Sequence, residues 1–150
     1  MSAVARRYFR RAVERLGQGD TEGALDDLHA AVELEPTFDE ARVACAALKV
    51  HRGDASAAVS LLRSGLEGGR RIPSAEARLV MALTDALIAA GAYAAAEQAR
   101  ERLVELAATA RIPAAVLADR QARIMAKTGR FQEAFQALVS ASRAPRPQHG

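Results

Sequence analysis

The fold is decided by residues 19–36, which read GDTEGALDDLHAAVELEP. A glycine opens this stretch and a proline closes it. Between them, apolar residues recur at three- and four-residue intervals, which is the pattern of one helix face. This stripe consists of Ala24, Leu25, Leu28, Ala31 and Val32. We therefore expect a turn at Gly19, a helix over about 21–34 and a stop at Pro36.

The same arrangement recurs along the chain. Glycines separated by 34, 38 and 38 residues stand at Gly19, Gly53, Gly91 and Gly129. Each is followed five residues later by an alanine, at Ala24, Ala58, Ala96 and Ala134. A small residue stands seven positions before each glycine, at Ala12, Ala46, Thr84 and Ala122. A glycine can turn the chain through positive φ, and small residues on both sides let two helices approach closely.

Repeats of this length stack into a solenoid, so we predict an all-α, right-handed superhelical solenoid of about four helix-turn-helix units with eight helices. Thr37 and Glu40 predict a capping box that opens the third helix. A single domain is expected over residues 1–143, followed by a disordered tail over 144–150 that has no apolar pattern. The units are expected at about 5–38, 39–74, 75–112 and 113–143.

Charge is distributed unevenly along the 150 residues, although the net charge is only +3. Residues 1–17 carry five arginines and one acid, whereas residues 18–41 carry eight acids and no Lys or Arg. Such opposed blocks indicate a polarised surface. The adjacent acids Asp26 and Asp27 are expected on a solvated helix face, because neighbouring residues point apart on a helix.

No pattern typical of catalysis, metal binding or membrane insertion is found. Cys45 is the single cysteine, and its apolar helical context predicts a buried structural thiol. The histidines His29, His51 and His149 lack ligand spacing, and neither a phosphate loop nor a nucleophile motif occurs. We therefore expect a protein that is not an enzyme, holds no metal or cofactor, and resides in the cytoplasm.

These features resemble the tetratricopeptide repeat family over about residues 5–142. The unit that matches best runs from Gly19 to Pro36, and the third and fourth units place an aromatic after the turn at Tyr93 and Phe131. The sequence departs from the family pattern at Gly65, where alanine is preferred. It also lacks the large residue early in the first helix of the later units, where Arg42, Val80 and Ala118 stand.

The resemblance implies that the first helices of the units line a concave groove that holds a peptide. Phe9 and Val13 are equally open to a role in the core. A clamp for the C-terminal carboxylate of chaperones is not expected, because only Arg78 among the matching positions (Phe9, Val13, Ala47, Arg78 and Ala82) has the right chemistry. The expected groove residues are Arg6, Phe9, Arg10, Val13, Glu40, Val43, Ala47, Val50, Arg78, Met81, Asp85, Ile88, Val116, Asp119, Arg120, Arg123 and Lys127.

The leading hypothesis is an adaptor that binds another protein or peptide, for which an acidic partner would suit the arginines of residues 1–17. A homo-oligomeric scaffold is the alternative, formed through the basic first helix, the acidic 20–40 block or the last helix. On that last helix, Phe131 and Leu138 are expected to be buried, while Phe135 and Val139 are candidates for an end patch. RNA binding is a weaker alternative, because few aromatics are available for stacking.

Overall fold

The chain is all-α in the part that this computed structural model describes, namely residues 1–69, 71–129 and 131–143 without the side chains of Phe131, Gln132 and Ala134. The expected burial of Phe131 and the expected disorder of residues 144–150 therefore lie outside the described residues. The eight helices are α1 (Ala3–Gly17), α2 (Thr21–Leu34), α3 (Asp39–His51), α4 (Ala55–Glu67), α5 (Pro73–Ala89), α6 (Tyr93–Ala110), α7 (Ala114–Lys127) and α8 (Phe131–Ser142).

A glycine with positive φ turns the chain inside each helical hairpin, as the spacing predicts. The φ values are 78° at Gly19, 85° at Gly53, 77° at Gly91 and 83° at Gly129. At Gly53, the amide donates to the carbonyl of Val50 at 2.9 Å, and the next amide donates to the carbonyl of Lys49 at 2.8 Å. This pair of bonds satisfies two carbonyls at the end of α3, so the backbone of the turn itself caps the helix.

Small buried residues bring the two helices of the first three hairpins together, and the side chain of Ala134 in the fourth lies outside the described residues. The predicted pairs Ala12 and Ala24, and Ala46 and Ala58, are all buried. In the third hairpin Thr84 replaces the alanine, and its fully buried hydroxyl donates to the carbonyl of Val80 at 2.8 Å. That hydrogen bond removes the desolvation cost that a buried hydroxyl would otherwise carry.

Consecutive hairpins pack in line, with α3 against α5 and α5 against α7. The first helices α3, α5 and α7 thus lie side by side, and α1 borders a cavity that it shares with α3 and α5. We call the exposed sides of α1, α3, α5 and α7 the first-helix face. The core runs between the two rows of helices and includes Leu28, Leu62, Leu79 and Leu103. Cys45 is completely buried in it, as expected, and burial raises the pKa of its thiol.

The start of α3 differs from the prediction, because no capping box forms there. Phe38 is the N-cap residue, with its ring buried, and the hydroxyl of Thr37 donates to Glu35 Oε1 at 3.2 Å instead. Burying a phenylalanine ring stabilises a fold by roughly 2–3 kcal/mol, whereas a cap contributes about 1 kcal/mol. The register that buries Phe38 therefore prevails, and the side chain of Glu40 is left on the surface.

Arg42 and Gly65, the two departures from the family pattern in the second unit, lie in contact with each other. The guanidinium of Arg42 is buried between α3 and α4, and it donates to the carbonyls of Leu61 at 2.8 Å and Pro36 at 3.0 Å. Its stem crosses directly over Gly65, where a Cβ atom would lie 2.8 Å from Arg42 Nε. A glycine is needed there because the arginine occupies the space of an alanine methyl group.

Candidate functional site

A cavity of about 460 Å³ opens on the first-helix face where α1, α3 and α5 meet. We call it the N-terminal groove. Its lining residues are Met1, Arg6, Phe9, Arg10, Phe38, Asp39, Glu40 and Arg78. Five of them (Arg6, Phe9, Arg10, Glu40 and Arg78) were expected in a groove, and the fold brings them together from three helices. Sequence reasoning missed the other three, although a large aromatic at the start of the predicted third helix was a usable signal for Phe38.

Two aromatic rings form the floor of the N-terminal groove. The ring centroids of Phe9 and Phe38 lie 5.1 Å apart with a tilt of 44°, a favourable arrangement for two aromatic quadrupoles. Phe38 is buried, whereas Phe9 is half-buried and packs against the core from the groove side. Phe9 thus belongs to both the core and the groove. Val13, one turn further along α1, is 55% exposed and belongs to the surface.

Positive charge dominates the rim of the N-terminal groove. Arg6 and Arg10 are exposed and make no ion pair with another described residue. Arg78 lies at the limit of an ion pair, 3.9 Å from Glu40, and both side chains are more than half exposed. Asp39 is already paired, because Arg71 donates two hydrogen bonds to it at 2.8 and 3.0 Å.

The charges expected further along the first-helix face pair with one another instead. Asp85 on α5 accepts hydrogen bonds from Arg120 at 3.0 Å and from Arg123 at 2.5 Å, both on α7. Arg123 also lies 3.2 Å from Asp119 on its own helix. These four residues tie α5 to α7, so their charges are largely satisfied within the chain. Lys127 is exposed at the end of α7.

An apolar stretch lies between these two charged regions. Val43, Val50 and Met81 are half-buried, and Ala47 is exposed two turns after Glu40 on the same side of α3. Val116 is likewise half-buried on α7. Ile88 is a correction to the expected set, because it is only 8% exposed and packs in the core with the residues of α3, α4 and α6. The sequence pattern placed Ile88 on the wrong side of α5, because apolar residues occur on more than one side of this helix.

Most acidic side chains of residues 20–40 bind other residues of the same chain. Asp27 is only 2% exposed and accepts hydrogen bonds from Arg11 at 2.6 to 3.1 Å, so the expectation of a solvated carboxylate is wrong for Asp27. Arg15 approaches the same carboxylate at 3.4 Å. Glu22 pairs with Arg52 at 2.5 Å. Few of these acids are left for a neighbouring copy of the chain.

The last helix carries exposed apolar side chains. Phe135 is 65% exposed and Leu138 is 46% exposed, so the expected burial of Leu138 is wrong. Val139 is half-buried. Leu138 stays accessible because no later helix in the described residues covers α8. A wide cleft of about 1010 Å³ lies beside Phe135 between α7 and α8.

None of the described helices is long and apolar enough to cross a membrane. Within residues 1–69, 71–129 and 131–143, no group of three His, Cys, Asp or Glu side chains is placed to hold a metal ion. His29 on α2 is half-buried, and burial lowers its pKa, with nearby Lys49 acting in the same direction.

Helical hairpins that turn on positive-φ glycines and stack in line define an α-solenoid repeat protein. Residues 15–82 match the family model described as tetratricopeptide repeat, which confirms the resemblance over that stretch. Beyond residue 82, α5 to α8 keep the turns at Gly91 and Gly129 and the buried small residues at Thr84, Ala96 and Ala122. No curated protein matches the chain.

Proposed function

We propose that the protein is a non-enzymatic adaptor that binds a partner peptide or protein through its first-helix face. Tetratricopeptide repeats generally mediate interactions between proteins. The observation that carries the proposal is the N-terminal groove, where side chains from α1, α3 and α5 surround a partly exposed aromatic floor. Aromatic and arginine side chains contribute much of the affinity at protein interfaces, and this groove presents both.

Two adjoining surfaces extend the groove in the proposal. The apolar stretch of Val43, Ala47, Val50 and Met81 continues from Glu40 along the first-helix face, and it offers contacts to a longer peptide. The residues around Asp85 border it on the far side, where their mutual ion pairs keep α5 and α7 in register. A bound partner would thus contact the arginines of the N-terminal groove at one end and the apolar stretch beyond them.

The test is a selection of binding peptides from a random library displayed on phage, followed by affinity measurements with two variants. Ala47→Glu places a charge on the first-helix face, while Ala108→Glu places the same charge on an exposed alanine of α6. The proposal expects Ala47→Glu to weaken binding of the selected peptides and Ala108→Glu to leave it unchanged. Equal affinity in both variants would place the binding surface elsewhere.

Self-association through α8 is a second candidate function, favoured by the exposure of Phe135 and Leu138. Large exposed apolar side chains that lie close together typically mark an interaction surface. Sedimentation velocity over a range of concentrations tests it, since association that disappears in Phe135→Ser supports the α8 patch. A monomer at all concentrations contradicts it.

A further inference from the structure

The described arginines fall into two groups that differ in their partners. One group is bound to carboxylates and includes Arg11, Arg71, Arg102 and Arg120. By contrast, Arg6 and Arg10 lie one turn apart on the same side of α1 with no carboxylate partner among the described residues. Like charges at this spacing repel one another and destabilise the helix.

Arg78 enters the same groove from α5, so three guanidinium groups from two helices border one cavity. Its contact with Glu40 is long and exposed, and such pairs contribute little to stability. A ligand carboxylate could therefore replace Glu40 at little cost. Guanidinium groups bind carboxylates through two parallel hydrogen bonds, which gives direction as well as attraction.

The floor beneath these arginines sets a second requirement. Phe9 presents apolar ring surface and is backed by the buried ring of Phe38, and the cavity of about 460 Å³ has the size of a pocket for one or two large side chains. A purely anionic ligand would leave the aromatic floor of the groove exposed to water. A ligand with an apolar group between carboxylates would satisfy both the floor and the rim.

We infer that the N-terminal groove selects an acidic segment of a partner protein in which a large apolar residue is flanked by Asp or Glu. The apolar side chain packs on Phe9 and Phe38, and the flanking carboxylates meet Arg6, Arg10 and Arg78. This inference rests on the proposed function and names the class of partner. A nucleic acid fits less well, because single-stranded bases bind by stacking on exposed aromatic rings, and here Phe38 is buried and Phe9 is half-buried.

The chain offers a closely matched pair of variants for the test. Arg6 lines the N-terminal groove, while its neighbour Arg7 lies outside it and lines a second cleft beside Tyr8. Both are exposed, unpaired among the described residues and in the first turns of α1, so Arg6→Glu and Arg7→Glu change the charge and the helix equally. Circular dichroism melts establish that both variants fold.

The experiment is the random-peptide selection with the intact chain, followed by fluorescence anisotropy of the enriched peptides. We expect sequences rich in Asp and Glu around one large apolar residue. Arg6→Glu should weaken their binding by about tenfold, Arg7→Glu by less than about twofold, and added salt should weaken binding to the intact chain. A peptide with Asn and Gln in place of the acids should lose a similar factor.

Three results would overturn the inference. Enriched peptides without acidic residues, whose binding fails in Ala47→Glu but survives in Arg6→Glu, would leave the adaptor function standing and remove its acidic partner. No enriched peptide at all would contradict both proposals. Tighter binding of a single-stranded 20-nucleotide probe, competing with the peptides and lost in Arg6→Glu, would assign the groove to nucleic acid.

Discussion

At the scale of single residues, the side chain of Arg42 fits closely over Gly65. Each stands out in the sequence as a separate departure from the family pattern. Their relation could not be predicted, because they are 23 positions apart on two helices and the path of a long side chain is set only by packing. The glycines of the turns behave differently, since positive φ is a local requirement that sequence spacing reveals.

Gly65→Ala should destabilise the protein by about 1–2 kcal/mol, because the new methyl group displaces the buried stem of Arg42 and its hydrogen bonds. This loss exceeds the helix propensity gained, about 1 kcal/mol. Urea denaturation measures the change. Gly17→Ala is the control, since nothing lies within 4 Å of a methyl group there, and it should be neutral or stabilising. An equal cost in an Arg42→Ala background would contradict the account.

His29 should make stability depend on pH. Its folded pKa is lowered by burial and by Lys49, against smaller opposing effects of Glu33 and Asp26. Folding thus favours the neutral imidazole. The resulting contribution to the free energy of unfolding is complete above the unfolded pKa of about 6.5 and is lost as pH falls toward the folded pKa. Denaturation midpoints at about pH 7.5 and about pH 5.5 should differ less in His29→Gln than in the parent. An unchanged difference would show that other groups carry it.

At the scale of helices, ion pairs decide which predicted surface residues stay available. The amphipathic pattern located the first-helix face correctly for most positions, but charge pairing is invisible to it. Asp27 shows the limit, because adjacent Asp26 has the same residue type and only one of the two meets Arg11 across the hairpin. Hydrophobic periodicity predicts which side of a helix faces solvent, but it does not predict which charged side chain of a neighbouring helix lies opposite.

Asp27→Ala should cost about 1–3 kcal/mol in the free energy of unfolding, because Arg11 and Arg15 lose a buried acceptor between α1 and α2. The matched control is Asp26→Ala, which removes the same group from the solvated side of α2 and should change stability by less than about 0.5 kcal/mol. Chemical denaturation of both variants gives the comparison. Similar values for the two would contradict the role assigned to the Asp27 contacts.

The exposed face of α8 leads to a second comparison at this scale. Phe135→Ser should alter the free energy of unfolding by less than about 0.5 kcal/mol, because the ring is largely in water already. Leu103→Ala on α6, where the side chain is completely buried, should cost about 2–5 kcal/mol. Thermal melts distinguish the two. A large loss in Phe135→Ser would mean that α8 packs more tightly than its exposure indicates.

At the scale of the whole molecule, the first-helix face is divided by charge pairing. Its α5–α7 part is held by Asp85, Arg120 and Arg123, while its α1 part leaves Arg6 and Arg10 open. The repeats follow from regular spacing, and the resemblance to the tetratricopeptide repeat family then implied five of the residues that line the N-terminal groove. The sequence could not predict the aromatic floor, since Phe38 reaches Phe9 only after two hairpins have stacked.

Methyl NMR tests the binding surface most directly. A peptide from the library selection is titrated into chain labelled at the methyl groups of Val and Met. We expect shifts at Val43, Val50 and Met81 on the first-helix face, and none at Val104, which is half exposed on the outer side of α6. Shifts confined to Val104, or to Val139 on α8, would contradict the claim that this protein binds its partner through the first-helix face.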